Sequence, residues 1–161
     1  MNAATIEVTE IGSELTGDAR LNAAAKIISE STKWSAVASI IPVPTLDMIA
    51  IGAVQVKLVG DIAKLYGSTF TNESIKAIVS ALLGTLVPAG ATRVVASTAA
   101  KYIPGYGSVV GLISLAGFSS AATYAIGKIF VRHFENGGTL ADFSPEAVKA
   151  DLKNEFQKAS K

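Results

Sequence analysis

Between Tyr102 and Gly127 the chain carries no charged side chain, and this run constrains the fold more than any other feature. Its helical part, Ser108 to Gly127, is twenty residues. At about 1.5 Å per residue that is a rod of about 30 Å, the thickness of a bilayer core. The rod is diluted, however: Val109, Val110, Leu112, Ile113, Leu115, Phe118 and Ile126 are its large aliphatic or phenyl residues, with Ser, Gly, Ala, Thr and Tyr124 between them. A helix buried at the centre of a bundle fits almost as well as one that crosses lipid. Gly107 and Gly111, continued by Gly117, Ala121 and Ala125, form a small-residue stripe. Such a stripe lets another helix approach closely, in this chain or in a second copy.

The rest of the composition points the same way. Half of the 161 residues are hydrophobic and 17% are charged, against about 25% in ordinary soluble domains, and the mean hydropathy is +0.43. The length suits one domain. A formal charge of +1 supplies no field for a nucleic-acid backbone, so no nucleic-acid partner is expected. With no cysteine and one histidine, disulfides, thiolate zinc sites and cysteine nucleophiles are excluded, and no metal or cofactor is expected.

No long alternation of apolar and polar residues occurs, so the fold is expected to be all-α, a multi-helix bundle of hairpins. Residues 1–17 read as a flexible lead-in without a secretory signal. Residues 18–139 read as an apolar helical domain, and 140–161 as a peripheral charged helix. The first helix starts at Asp18, with Leu21, Ala24, Ala25, Ile28 and Trp34 recurring near helical spacing. Pro42 and Pro44 break it. The second runs from Thr45 to Lys64 before Gly67, with Lys57, Asp61 and Lys64 on one face and Ile51, Val54, Leu58, Ile62 and Leu65 on another. A third starts at Thr71 or Asn72 and is expected to kink or end at Pro88 and Gly90. Pro104 and Gly105 make a second helix-entry turn, similar to that at Pro42 and Pro44. The uncharged helix ends at Asn136-Gly137-Gly138, and a last helix starts with Ser144 as cap, Pro145 at its first position and Phe143 stapled onto Val148.

Catalytic motifs fail on inspection. Ala122 to Ile129 approaches a phosphate-binding loop, but Ala122 stands for the first glycine and Ile129 for the magnesium-binding hydroxyl. Ser119 approaches a nucleophile elbow, yet it lies in mid-helix, and His133, fourteen residues on, is about 21 Å up the same axis. The chain is therefore read as no enzyme. Polar residues worth following are Asp47, in an otherwise uncharged stretch from Trp34 to Val56 and able to pair with Arg93 or Lys101, and His133 beside Arg132 and Glu135.

Two stretches carry a likeness. Ile40-Ile-Pro-Val-Pro-Thr-Leu-Asp-Met-Ile-Ala-Ile-Gly-Ala-Val-Gln55 runs on to Asp61-Ile-Ala-Lys-Leu-Tyr-Gly67. Tyr102-Ile-Pro-Gly-Tyr-Gly-Ser108 leads to Thr123-Tyr-Ala-Ile-Gly-Lys-Ile-Phe130 and His133-Phe-Glu-Asn-Gly-Gly138. Together they resemble the YcjF-like, GTPase-associated bacterial family of unknown function. The resemblance implies a helical, membrane-associated module, attached to or encoded beside a Ras-like or dynamin-like GTPase and in some members tied to envelope stress. It implies no catalytic residue. With no GTPase domain in the sequence, such a partner would act in trans.

The resulting expectation is a non-enzymatic module at the bacterial cytoplasmic membrane or its cytoplasmic face, which binds or reshapes lipid or self-assembles, as accessory to a GTPase. Its partners would be membrane lipid, further copies of itself and that GTPase. Two alternatives are a soluble self-assembling helical adaptor that buries its apolar helices in an oligomer, and an amphitropic pore-former.

Overall fold

The computed structural model describes the backbone of residues 16–38, 44–100 and 107–160, and the side chains of 16–37, 51–86 and 116–160. Among the described residues five helices make up an all-α bundle: α1 (Gly17–Ala38), α2 (Pro44–Leu65), α3 (Asn72–Ala100), α4 (Gly107–Glu135) and α5 (Lys149–Ala159). The expected turns at Pro42, Pro104 and Gly105 lie outside the described residues, while Pro44 opens α2. The side chains of Asp47, Arg93, Gly107 and Gly111, and the whole of Lys101, also lie outside them.

Both glycine stops take the positive φ that an L side chain rarely adopts, +66° at Gly67 and +81° at Gly137. Each closes the same double-bonded turn. Ser68 N–H donates to Ala63 O and Gly67 N–H to Lys64 O, and likewise Gly138 N–H to His133 O and Gly137 N–H to Phe134 O, so the last free carbonyls of α2 and α4 are satisfied. The two turns meet, since Leu140 N–H reaches Ser68 Oγ at 3.4 Å.

Contacts between helices fix the topology. Ile28 lies against Gly127 and Ser35 bonds Ser119, so α1 and α4 are antiparallel. Gln55 bonds Thr123 and Tyr66 stacks on Phe134, so α2 and α4 run parallel. Gly60 lies against Ile75 and Phe70 across the short connection 66–71, so α3 folds back antiparallel to α2. The bundle is therefore up-down-up-down, and the helix ends flanking 39–43 and 101–106 lie on one side. The turns after Leu65 and Glu135 lie on the other.

The core is continuous through all five helices and includes Ile28, Leu58, Ile62, Ile75, Leu82, Ile126, Phe130, Leu152 and Phe156. Its aromatic floor is Phe130 stacked on Phe143, centroids 4.4 Å apart and planes 14° from parallel. α4 takes the central place and packs on each of the other helices. Among the described residues no helix is long and apolar enough to cross a membrane.

Three local expectations need correction. Of the two outcomes expected at Pro88 and Gly90, an end of the helix is overturned: α3 continues through both to Ala100, because proline removes one hydrogen bond from a ladder that the neighbouring turns still hold. α5 begins at Lys149, with turns over 145–148; Ser144 Oγ accepts only a long bond of 3.4 Å from Ala147 N–H. In α1 the buried row is Ala24, Ile28, Ser31 and Ser35, while Leu21 and Trp34 are exposed. Apolar periodicity misses this row because two serines hold core positions.

Candidate functional site

The five Lys- and Asp/Glu-bearing helices do not distribute their charges evenly. Residues 34–56 and 77–127 contain three charged side chains, Asp47, Arg93 and Lys101. In the up-down-up-down topology the described helical parts of these stretches, 34–38, 44–56, 77–100 and 107–127, lie in the same half of α1 to α4. The opposite half holds the ion pairs Lys57–Asp61 and Arg132–Asp151, the latter at 2.8 Å, whereas the contact of Phe156 with Phe118 sets the Lys158–Glu155 pair, at 3.1 Å, beside the uncharged part of α4. The four helices α1 to α4 thus form an amphipath along their long axis, rather than around each helix alone.

At the border between the halves lies a buried polar seam. Ser35, Ser119, Thr123 and Gln55 are each 0% exposed. Gln55 Nε2 donates to Thr123 Oγ1 at 2.6 Å, Thr123 Oγ1 donates to Ser119 O at 2.8 Å, and Ser119 Oγ meets Ser35 Oγ and donates to Ser35 O at 3.2 Å. Because the Thr123 proton is committed to Ser119 O, its oxygen must accept, which fixes the Gln55 amide orientation. Gln55 Oε1 meets no donor among the described residues, and a buried orphan carbonyl costs about 1–3 kcal/mol. Gln55→Leu, which removes the orphan, is expected to leave thermal stability unchanged or raised. Thr123→Val instead strands the Gln55 amide and is expected to lose about 1–3 kcal/mol. Denaturant melts of the two variants check the opposite signs.

The seam is chemically inert in its present partners. Ser119 bonds Ser35 and not an imidazole, and His133 is held elsewhere: its Nε2 lies 2.8 Å from Thr139 O and 3.3 Å from Asp142 Oδ1, with its ring edge-on to Phe143. Among the described residues no group of three His, Cys, Asp or Glu side chains is placed to hold a metal. Gly127, in the loop-like string, is a packing residue, since an added Cβ would lie 2.6 Å from Ile28 Cγ1. Lys128 is seven residues from the α4 end, and its neighbours' amides are spent in the helix.

The small-residue stripe divides. Ala121 and Ala125 are buried within this chain, whereas Gly117 is exposed and a Cβ there would meet open space. Exposed apolar side chains gather at the border as well: Trp34 is 67% exposed, Val37 55% and Tyr124 39%. Trp34 and Val37 line a groove between α1 and α2 of about 450 Å³ with Val54 and Lys57. Tyr124 lines one between α1 and α4 with Leu21, Lys33 and Lys128. Sequence reading found the uncharged stretches but missed the seam and the exposed tryptophan. The available signal was Ser119 and Thr123 one helical turn apart.

At the charged end, Tyr66 Oη donates to Glu135 at 2.6 Å, and burial, followed by that bond and the Glu135 charge, pushes the phenol well above its ordinary range despite Arg20 over the ring. The Asp142 carboxyl is held below the usual carboxylate range, first by the Thr139 N–H at 2.6 Å, then by the Thr139 hydroxyl, and also by His133. A folded-state pKa that is lowered contributes stability above the unfolded value and loses it as pH falls through the folded value. Acidification through the carboxylate range is therefore expected to lower the protection of the Thr139 amide relative to its intrinsic exchange rate, and Asp142→Asn to show low protection already at neutral pH with no acid step.

The family described as Domain of unknown function (DUF697) matches residues 5–161. Magnetosome membrane protein 22 of Magnetospirillum gryphiswaldense is 36% identical over 135 residues, which cover 84% of this chain and 69% of that protein. No solved structure matches.

Proposed function

The chain belongs to the DUF697 family, and we propose that it is a non-enzymatic, membrane-associated helical module whose apolar half enters a lipid bilayer. The observation that carries this reading is the axial segregation of charge: three charged residues in 34–56 and 77–127, stretches that the topology gathers on one side. An apolar end of that kind is stable when removed from water, by about 25 cal/mol per Å² of apolar surface. The name of the magnetosome relative supports the setting. The stretches that resemble the YcjF-like family support a role as accessory to a GTPase, through binding or reshaping of lipid.

Flotation of the purified chain with vesicles tests the proposal. Recovery in the lipid fraction is the expected result. Large particles that remain at the bottom of the gradient with every vesicle would overturn it in favour of a self-assembling adaptor, and dye release from the vesicles would convert it into the pore-forming reading.

A further inference from the structure

We infer that the apolar half is bordered by a lysine collar that selects anionic lipid headgroups. The inference rests on the membrane reading above and names the lipid class that this reading leaves open. Followed from the charged end toward the apolar end, four helices present a lysine as the charge that borders their apolar stretch, Lys33 in α1, Lys57 in α2, Lys76 in α3 and Lys128 in α4, and Lys158 stands at the end of α5. The direction of α5 follows from Arg132 meeting Asp151 and Phe118 meeting Phe156. All five lysines are exposed.

Shared grooves link these lysines in pairs. Lys57 and Lys76 line the groove between α2 and α3, Lys33 and Lys128 share the groove that holds Tyr124, and Tyr124 lines another groove with Lys158. Lys57 also lies beside Trp34. Along α1, α2 and α3 the acid stands behind the lysine: Glu30, Asp61 and Glu73 are each one turn nearer the charged end than Lys33, Lys57 and Lys76. Asp61 pairs with Lys57 and also lies 3.9 Å from Lys64. In each of these helices the ammonium group therefore precedes the neighbouring carboxylate as seen from the apolar end.

That order matches the layers of a membrane. Trp34 and Tyr124 are amphipathic rings suited to the headgroup level. Flexible lysine stems can lie along apolar surface while their ammonium groups reach the phosphates, and an acidic lipid gives them the countercharge that neutral lipid lacks.

The test uses the full chain with vesicles of phosphatidylcholine alone and of equal parts phosphatidylcholine and phosphatidylglycerol. The wild type is expected to bind the anionic vesicles more tightly, and high salt to remove the difference as the screening length shrinks from about 10 Å to about 3 Å. The triple variant Lys33→Gln, Lys76→Gln, Lys128→Gln is expected to lose affinity for anionic vesicles on the order of a hundredfold, with its binding to neutral vesicles and its melting curve unchanged. The corresponding triple Arg variant should retain the preference. Equal binding of wild type and Gln variant to both vesicles would overturn the collar and leave the membrane reading intact. Binding to neither vesicle would overturn the membrane reading itself.

Discussion

Phe130→Ala is expected to be the most damaging single change in the described core. The ring is 0% exposed, stacks on Phe143 and lies 6.1 Å from the Phe134 centroid. Its removal leaves a cavity between α4 and the segment that leads into α5. Phenylalanine-to-alanine changes at such sites lose about 3–5 kcal/mol, a large part of the roughly 5–15 kcal/mol that a domain possesses. The midpoint of thermal unfolding should fall on the order of 10 °C. Phe130→Leu keeps most of the volume and should lose much less. A Phe130→Ala midpoint within 2 °C of wild type would show that the Phe130–Phe143 stack does not close the core, although even one kcal/mol shifts a chain of this size by about that much.

Val37→Glu is expected to separate folding from membrane entry. Val37 is 55% exposed, and surface substitutions of that kind change stability by about 0.5 kcal/mol or less. It lies one turn beyond Lys33 in α1, on the apolar side of the border. A carboxylate brought there into the lipid interface is unfavourable, with about 2.5–3.5 kcal/mol as the value for charges at a bilayer centre and a smaller value nearer the surface. A tenfold or greater loss of vesicle affinity follows, since about 1.4 kcal/mol is tenfold. The same change on the opposite side of the border, Lys26→Glu in α1, should weaken binding far less. Equal losses at both positions would mean that net charge, and not depth, governs the interaction.

How much of this was legible in the sequence depends on how local the governing physics is. The ends of α2 and α4 were legible because Gly67 and Gly137 supply a conformation that other residues resist. The buried row of α3, Ile75, Val79, Leu82 and Leu86, was legible because it is apolar at helical period. The α1 row was not: Ser31 and Ser35 hold two of its buried positions, Ser35 by contact with Ser119, 84 positions away, and no local pattern reports such a partner. Trp34 was read as part of the core face for the same reason. Pro88 misled because its local effect, one lost hydrogen bond, is outweighed by a helix of 29 residues. For the candidate site, the uncharged stretches were visible from the outset. Their gathering on one side required the antiparallel pairing of α1 with α4 and the parallel pairing of α2 with α4. The lysine border became visible only when each helix had a direction.

The central claim, that the apolar half enters lipid as far as the lysine border, has a built-in reporter, because Trp34 is the sole tryptophan of the chain, is 67% exposed and follows Lys33 directly. Its fluorescence during a titration with anionic vesicles is the most direct measurement. The account predicts emission that moves to shorter wavelength and saturates with lipid, and stronger quenching by bromines placed near the headgroup than by bromines at the chain ends. Emission that stays at its aqueous wavelength while the protein floats with the vesicles would contradict it, because the chain would then be bound through a face that leaves Trp34 in water.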